Sequence, residues 1–257
     1  MTIILRPPTR LSEILRCEPV DVMKKKGGVA VAACRVVSRS SEAFADRAEA
    51  GRLLAHELRG LRGLSPVVLG IPRGGVVVAR ELARGLGGDL DVIMTHKIGA
   101  EGNSELAVGA VTEAGEVFTS EKAAARSEEY LRVEAACQHA LLRESVASYR
   151  RALPATPLKE RQVIVTDDGV ATGLTMEAAL WAVRKQQPAR LIAAIPVAAE
   201  GSLERLVLHA EEVVCLHVPW DFWGVGQFYR HFDQLENADV VQILDEEASR
   251  RLHHEAG

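Results

Sequence analysis

The sequence predicts an α/β fold in which a parallel sheet is covered by helices on both faces. Short, continuously apolar segments alternate with helical segments, as where Pro66–Ile71 precedes the helical pattern of Gly75–Gly87. Glycine-rich loops follow two apolar segments directly, "PRGG" at 72–75 and "DDGVATG" at 167–173. Parallel sheets bind ligands beyond the carboxyl ends of their strands. The acidic loop is predicted to sit at such an end.

Length and composition limit the class of protein. At 257 residues, the chain can bury a large core, as one domain or as a domain with an appendage. Its 31 basic and 35 acidic residues give a net charge of −4, which predicts neither nucleic-acid nor membrane binding. The cysteines show no metal or disulfide spacing, which favours reduced thiols in the cytoplasm; they are Cys17, Cys34, Cys137 and Cys215.

The first 43 residues differ from the rest of the chain. Prolines, a run of lysines and a serine cluster occur there without sustained hydrophobic periodicity. Such composition predicts a poorly ordered N-terminal extension over residues 1–43, followed by one domain over 44–257. Residues 28–37 are compatible with a strand.

From Asp46 onward the predicted elements follow a regular order. Asp46 is expected to cap a helix over about 47–62, and Pro154 and Pro157 are expected to end a long charged helix that forms a solvated face or a dimer element. The other predictions are strands at 66–71, 89–95, 163–166, 191–195 and 213–217, helices at 75–87, 120–153, 174–187 and 201–210, and two strands joined by a glycine turn within 106–118.

Asp167 and Asp168 are adjacent carboxylates at the end of a predicted strand. Because each raises the cost of ionising the other, we expect a cationic or hydroxyl-rich group to meet them. The following loop offers glycines for close backbone approach, threonine hydroxyls and the positive end of a helix, all of which suit a phosphate. The acidic pair suits sugar hydroxyls or a magnesium ion. Ribose 5-phosphate carries both a phosphate and neighbouring sugar hydroxyls.

The segment "VIVTDDGVATGLT" (residues 163–175) resembles the phosphoribosyl diphosphate (PRPP) binding motif of type I phosphoribosyltransferases. Four more segments, "FADRAEAGRLLA", "GIPRGGVVVA", "DVIMTHKIGA" and "ELAVGAV", are similar to a bacterial group of phosphoribosyltransferase-domain proteins of largely unassigned substrate. The similarity covers about residues 44–245. It implies a parallel-sheet, Rossmann-like type I phosphoribosyltransferase core with an inserted hairpin plus long helix and a small C-terminal hood at about 218–240.

The resemblance implies a role for the residues of each loop. Asp167 and Asp168 would hold the ribose hydroxyls, while Arg73 and Lys97 would bind the diphosphate; these four side chains form the implied catalytic set. Mg²⁺ would bind through PRPP, with Asp167 or Asp168 as its candidate protein ligand. The further PRPP-binding residues implied are Gly74, Gly75, Gly169, Val170, Ala171, Thr172, Gly173, Leu174 and Thr175.

The implied reaction transfers the 5-phosphoribosyl group from PRPP to a nitrogenous base or amine, with release of pyrophosphate through an oxocarbenium-like state. Three positions within residues 163–175 depart from the family pattern, and Glu101 and Ser104 replace prolines expected from the narrower group. Gly169 stands where an aliphatic residue is common, and Leu174 where a small one is. Ala171 replaces an Asp proposed to handle the purine proton in hypoxanthine-guanine enzymes, which disfavours a 6-oxopurine acceptor.

The predicted hood is rich in aromatic residues, with six of the chain's eleven between positions 220 and 232. Trp220, Phe222 and Trp223 are candidates for stacking on the acceptor, and packing at the domain edge or in a dimer is the alternative. A homodimer with PRPP and a small-molecule acceptor as its partners is expected.

Two other classes of function stay open. One is a non-catalytic PRPP- or nucleotide-binding regulatory protein on the same fold. The other, a phosphoacceptor receiver domain, is disfavoured because its acidic pair follows the first strand, whereas Asp167 and Asp168 follow the third or fourth.

Overall fold

The computed structural model describes residues 21–22, 33–120 and 127–255. The described strands are β1 (Asp21–Val22), β2 (Ala33–Ser38), β3 (Val67–Gly70), β4 (Asp89–Val92), β5 (Thr95–Ala100), β6 (Asn103–Thr112), β7 (Val117–Thr119), β8 (Gln162–Thr166), β9 (Arg190–Val197) and β10 (Glu212–His217). The described helices are α1 (Arg47–Glu57), α2 (Gly74–Leu86), α3 (Glu128–Ala152), α4 (Leu174–Lys185), α5 (Glu200–Leu206) and α6 (Asn237–Glu255).

The larger sheet has the strand order β1-β2-β10-β9-β8-β3-β4. From β2 to β4 in that order every neighbouring pair is parallel, and β1 is antiparallel to β2. Strand β3 has β4 on one side and β8 on the other, so the chain direction switches between β3 and β8. Gly70 lies opposite Thr166 across this pair. The loops that follow β3 and β8 therefore begin at the same level of the sheet.

Helices cover both faces of this sheet, which confirms the predicted layering. Val68 and Ile164 point into a core closed mainly by α1, α2 and α6, whereas Val67 and Val165 point into a second core closed by α4 and α5. Because both faces are buried, the strands carry continuous apolar runs instead of alternating ones. In the described part of the chain, no helix is long and apolar enough to cross a membrane.

The smaller sheet is the predicted insertion with one additional strand. It has the antiparallel order β5-β6-β7, and the sequence predicted only the last two strands. The long helix α3 packs on it through Ala135, which contacts a cluster containing Ile98 and Val108. Residues 121–126, predicted as the start of this helix, lie outside the described residues.

Several predicted boundaries differ from the structure. The helix predicted over 47–62 ends at Glu57 and continues as a 3-10 turn, Arg59–Leu61, and the helix predicted over 201–210 ends at Leu206. Strand β2 pairs with β10, so the predicted domain boundary at residue 43 falls after a strand of the main sheet. Most of the predicted extension lies outside the described residues.

Helix α6 was not among the elements predicted from the sequence. Its buried side chains are concentrated in the first half of the helix, where Val240, Ile243 and Leu244 join the core. The second half carries charged residues, and Glu247 is the buried one among the side chains that the structure describes there. An apolar stripe this short gives a weak helical signal.

Candidate functional site

The two glycine-rich loops meet at the switch point between β3 and β8. The "PRGG" loop follows β3 and opens α2, and the Pro72–Arg73 peptide bond within it is cis. The acidic pair follows β8. The loops touch so closely that a Cβ atom on Gly74 would lie 1.8 Å from Asp168 Oδ2, and one on Gly75 would lie 2.8 Å from the Cα atom of Asp167. Only glycine allows this approach of backbone to carboxylate.

Asp167 is a partly buried carboxylate at this contact. The Asp168 backbone N–H donates to its Oδ1 at 2.8 Å, and the Gly75 backbone N–H also donates to the carboxylate. Burial and the neighbouring Asp168 charge raise the pKa of Asp167 well above its ordinary value, and these hydrogen bonds only partly oppose the rise. Such a carboxylate gains from any ligand that brings positive charge or hydroxyl donors.

Asp168 is met by a cation, as the adjacent carboxylates led us to expect. The Nε atom of Arg47, the first residue of α1, donates to Asp168 Oδ2 at 2.9 Å. Burial raises the pKa of Asp168, and the hydrogen bond and charge of Arg47 oppose that rise. The Tyr229 hydroxyl donates to the Asp168 backbone carbonyl at 2.6 Å, which joins the hood to the acidic loop.

A cleft of about 170 Å³, here called the loop cleft, opens beside the acidic pair. It brings together most of the predicted PRPP-binding residues. Its lining residues are Lys97, Asp167, Gly169, Val170, Ala171, Thr172, Gly173, Thr175, Met176 and Val225. Leu174 is absent from this lining because its side chain is buried against Ala110 and Phe118.

Side chains of α5 hydrogen-bond to the backbone of the loop that follows the acidic pair. Ser202 Oγ donates to the Ala171 carbonyl at 2.6 Å, and Arg205 donates to the Thr172 carbonyl. Gly173 adopts a left-handed φ of 83° and starts α4, where its carbonyl accepts from the Glu177 N–H at 2.8 Å. The N–H groups of the first turn before Glu177 lack partners within the helix. They are available to an anion in the loop cleft.

A second cleft of about 330 Å³, here called the arginine cleft, is lined by Arg47 and Gly74, which both contact Asp168. Its lining residues are Arg47, Arg73, Gly74, Phe232, Asp233, Gln234 and Leu235. Arg73 is exposed, and in the described part of the chain neither Arg73 nor Lys97 forms an ion pair. The predicted cations therefore divide between two clefts: Lys97 lines the loop cleft and Arg73 the arginine cleft.

The three predicted acceptor residues occupy different environments. Trp223 is exposed, Trp220 is exposed with the Arg39 guanidinium 4.6 Å from its ring centroid, and Phe222 packs on Phe228 at 5.4 Å. Within the described residues, the hood side chain that lines the loop cleft is Val225.

Val225 explains why glycine stands at position 169. A Cβ atom on Gly169 would lie 2.6 Å from Val225 Cγ1 and 3.1 Å from Val197 Cγ1. The valine of the hood thus fills the space that an aliphatic side chain at position 169 would occupy.

The carboxylates of this site suit a magnesium ion that binds together with a phosphate ligand better than a metal ion bound by protein side chains alone. No group of three or more His, Cys, Asp or Glu side chains among the described residues could hold a metal ion. Mg²⁺ usually takes one or two carboxylates together with substrate phosphates and water. Asp167 and Asp168 fit that smaller contribution.

Sequence analysis missed Arg47 and the residues of α5 that hold the loop. Arg47 did carry a signal, because a cation at the first position of a helix faces the positive end of the helix dipole and needs another partner. Ser202 and Arg205 carried none, since they act on backbone carbonyls about thirty residues earlier in the chain.

Comparison with known proteins identifies relatives of this chain. A family model described as "Phosphoribosyl transferase domain" matches residues 40–229. Two curated proteins of Mycobacterium tuberculosis, from strains CDC 1551 / Oshkosh and H37Rv, are named "Putative phosphoribosyl transferase" MT0597 and Rv0571c. Each is 38% identical over 209 residues, which cover 79% of this chain and 46% of the relative. The chain thus spans about half the length of the curated relatives it matches.

A solved structure is similar to this chain at higher sequence identity. The crystal structure of TT1426 from Thermus thermophilus is 50% identical, with a TM-score of 0.72, and the match covers 79% of this chain and 98% of that chain.

Proposed function

Because the chain belongs to the phosphoribosyltransferase family, we propose that it binds PRPP across the acidic pair and transfers the 5-phosphoribosyl group to a nitrogenous base or amine. The observation that carries this proposal is the contact between the two loops. Gly74 and Gly75 bring the "PRGG" backbone against Asp167 and Asp168, and Asp167 lines the loop cleft while Gly74 lines the arginine cleft. PRPP has a matching shape, with a diol between a monophosphate and a diphosphate.

The loop cleft would hold the ribose 5-phosphate end. Thr172 and Thr175 offer hydroxyls there, and the first turn of α4 offers backbone N–H groups. Charge-assisted hydrogen bonds contribute about 1.5–3 kcal/mol each, so several such donors suffice to hold a phosphate. Asp167, which lines the same cleft, would accept hydrogen bonds from the ribose hydroxyls.

The arginine cleft would hold the diphosphate end. Arg73 lines it beside Gly74, at the N-terminus of α2. Lys97 would reach the diphosphate from the loop-cleft side. Magnesium bound with PRPP would supply further positive charge, with Asp167 or Asp168 as its protein ligand.

Transfer would break the bond between the anomeric carbon and the diphosphate oxygen and form a bond to the acceptor nitrogen, which loses a proton. Arg73 and Lys97 would stabilise the departing negative charge. Asp167 and Asp168 would favour the positive charge that develops on the ribose ring. Ala171 offers no base for the acceptor proton, so the preferred acceptor is one that does not need a carboxylate at that position.

The proposal also includes the residues that contact the acceptor, the oligomeric state and the cellular location. Trp220, Phe222 and Trp223 would stack on the acceptor, and the protein would act as a cytoplasmic homodimer without nucleic-acid or membrane partners. The exposed faces of Trp220 and Trp223 support the stacking role, since an aromatic residue gains by covering its apolar surface.

The test is calorimetric titration with PRPP and Mg²⁺. We expect micromolar binding by the wild-type chain and loss of binding in the Asp167→Asn, Asp168→Asn double variant. An Asp245→Asn variant is the matched control because Asp245 is exposed on α6, far from the switch point in sequence. Absence of PRPP binding by the wild type would refute the proposal.

Turnover separates the enzyme from the regulatory alternative. Pyrophosphate release is measured with PRPP and a panel of purine, pyrimidine and amine acceptors. Release with one acceptor, absent from the double variant, supports the transferase. PRPP binding without release across the whole panel favours the non-catalytic regulatory protein.

A further inference from the structure

We propose that Arg47 is an additional diphosphate-binding residue, positioned by the hood and lying outside the "PRGG" loop. The inference rests on the proposed function and assigns a further group to the same site. Arg47 is nearly buried, with 11% of its side chain exposed, and it lines the arginine cleft together with Arg73 and Gly74.

The hydrogen bonds of Arg47 leave one edge of its guanidinium unused. Its Nε atom donates to Asp168 Oδ2 and its Nη1 atom donates to the Asp233 carbonyl, both at 2.9 Å. The described residues provide no hydrogen-bond partner for the Nη2 atom, which carries two of the five N–H donors of a guanidinium. A largely buried guanidinium with unused donors at the edge of a cleft is suited to an anionic ligand.

Contacts with the hood fix the direction of this edge. The Arg47 guanidinium carbon lies 3.9 Å from the ring centroid of Phe232, and that ring stacks on Tyr229 at 5.2 Å. The Tyr229 hydroxyl in turn donates to the backbone of Asp168. Arg47, Phe232, Tyr229 and Asp168 therefore form a closed circuit of contacts. Because the circuit holds the guanidinium plane, little side-chain entropy is lost when an anion binds.

The "PRGG" loop brings the diphosphate position within reach of Arg47. A Cβ atom on Gly74 would lie 3.0 Å from Arg47 Nε, so this loop packs against the Arg47–Asp168 pair itself. A diphosphate bound on the loop would thus meet guanidinium groups from Arg47 and Arg73. Since Asp168 already neutralises part of the Arg47 charge, the paired N–H donors of the guanidinium contribute more to anion binding than its net charge does.

This role makes a specific prediction about ligand selectivity. Arg47 would contribute to the binding of PRPP and pyrophosphate, which have a diphosphate, and hardly to the binding of ribose 5-phosphate, which lacks one. A residue that merely held Asp168 in place would affect all ligands that contact the ribose-binding carboxylates. The two roles are separated by comparing the three ligands.

The experiment titrates Mg²⁺ with PRPP, pyrophosphate or ribose 5-phosphate into the wild type and the Arg47→Gln, Arg47→Lys and Arg52→Gln variants. Arg52 is the control because it lies on the same helix and is exposed, with Glu81 3.7 Å away. We expect Arg47→Gln to weaken PRPP and pyrophosphate binding by about tenfold or more and ribose 5-phosphate binding by less than about threefold. The Arg47→Lys variant is expected to bind PRPP and pyrophosphate with affinities between those of the wild type and Arg47→Gln. Lysine keeps the positive charge but lacks the paired N–H donors of the guanidinium.

Each outcome bears on either the inference or the proposed function. Losses for PRPP and ribose 5-phosphate without a loss for pyrophosphate would show that Arg47 only positions Asp168. That result, equal losses for all three ligands, or no loss in Arg47→Gln would each overturn the diphosphate-binding role of Arg47 without refuting PRPP binding by the wild type. If Arg47→Gln does not fold, the Arg47→Lys comparison decides between the same outcomes. A wild type that binds pyrophosphate through Arg47 but does not bind PRPP refutes the proposed function and supports the anion site. A wild type that binds neither refutes both.

Discussion

Gly74 and Asp168 lie in such close contact that a single methyl group at position 74 would occupy the space of the carboxylate. The Cβ atom would stand 1.8 Å from Asp168 Oδ2 and 2.5 Å from Asp168 Cγ. The ion pair with Arg47 and the hydrogen bond from Tyr229 prevent Asp168 from moving freely. The position of the "PRGG" backbone therefore depends on that of the acidic pair.

A Gly74→Ala variant should consequently lose stability and ligand binding together. Overpacking of this kind costs about 1–3 kcal/mol, and we expect a decrease in that range in the free energy of unfolding measured with urea. PRPP affinity should fall by about tenfold or more in calorimetry. Gly60→Ala is the matched control, since a Cβ atom there meets nothing within 4 Å. Equal behaviour of the two variants would contradict the contact.

Gly169 and Val225 should show coupled effects on substitution. A Gly169→Ala variant places its methyl group 2.6 Å from Val225 Cγ1, so it should displace the hood and weaken ligand binding in the loop cleft. Val225→Ala removes the obstructing methyl groups. The double variant should recover at least about 1 kcal/mol of the stability that Gly169→Ala loses, measured as a double-mutant cycle. Additive effects of the two substitutions would refute the contact.

The main sheet and its two loops could be predicted because their signals are local. Continuous apolar runs such as Val67–Leu69 mark strands buried on both faces, and Gly87 marks a helix end with a left-handed φ of 68°. The adjacency of Asp167 and Asp168 likewise required a partner on electrostatic grounds alone. Each of these inferences used residues within one short segment.

The features that sequence analysis missed depend on contacts between distant segments. Strand β5, which carries Lys97, contains two glycine or alanine positions and few apolar residues, and it is stabilised by pairing with β6. Arg47 reaches Asp168 across 121 positions of the chain. Such pairings are determined by the topology of the sheet, which brings β3 and β8 together. A local pattern can indicate that Arg47 needs a partner, but it does not identify that partner as Asp168.

Asp167 should make the stability of the protein depend on pH. Because its pKa is raised in the folded state, the folded chain binds the proton more tightly than the unfolded chain does. The free energy of unfolding should therefore fall as the pH rises from the ordinary value of 3.8 through the raised pKa. An Asp167→Asn variant should lose less stability over this range, because it has no carboxyl group at position 167 to titrate.

Urea unfolding at about pH 5 and about pH 8 checks this difference. Only the change in the gap between variant and wild type is diagnostic, because Glu211 and Glu247 have lowered pKa values and contribute with the opposite sign. A gap of the same size at both pH values would show that Asp167 titrates in its ordinary range.

Ser202 should control the affinity of the loop cleft without touching a ligand. Its buried hydroxyl donates to the Ala171 carbonyl at 2.6 Å, so a Ser202→Ala variant removes a hydrogen bond that contributes about 0.5–1.5 kcal/mol. We expect the loop to relax and ribose 5-phosphate affinity to fall by about three- to tenfold in calorimetry. Ser249→Ala is the control, because that hydroxyl also donates to a backbone carbonyl, that of Asp245, but at an exposed position of α6. If Ser202→Ala lost stability and kept wild-type affinity, the first turn of α4 would hold the phosphate without support from α5.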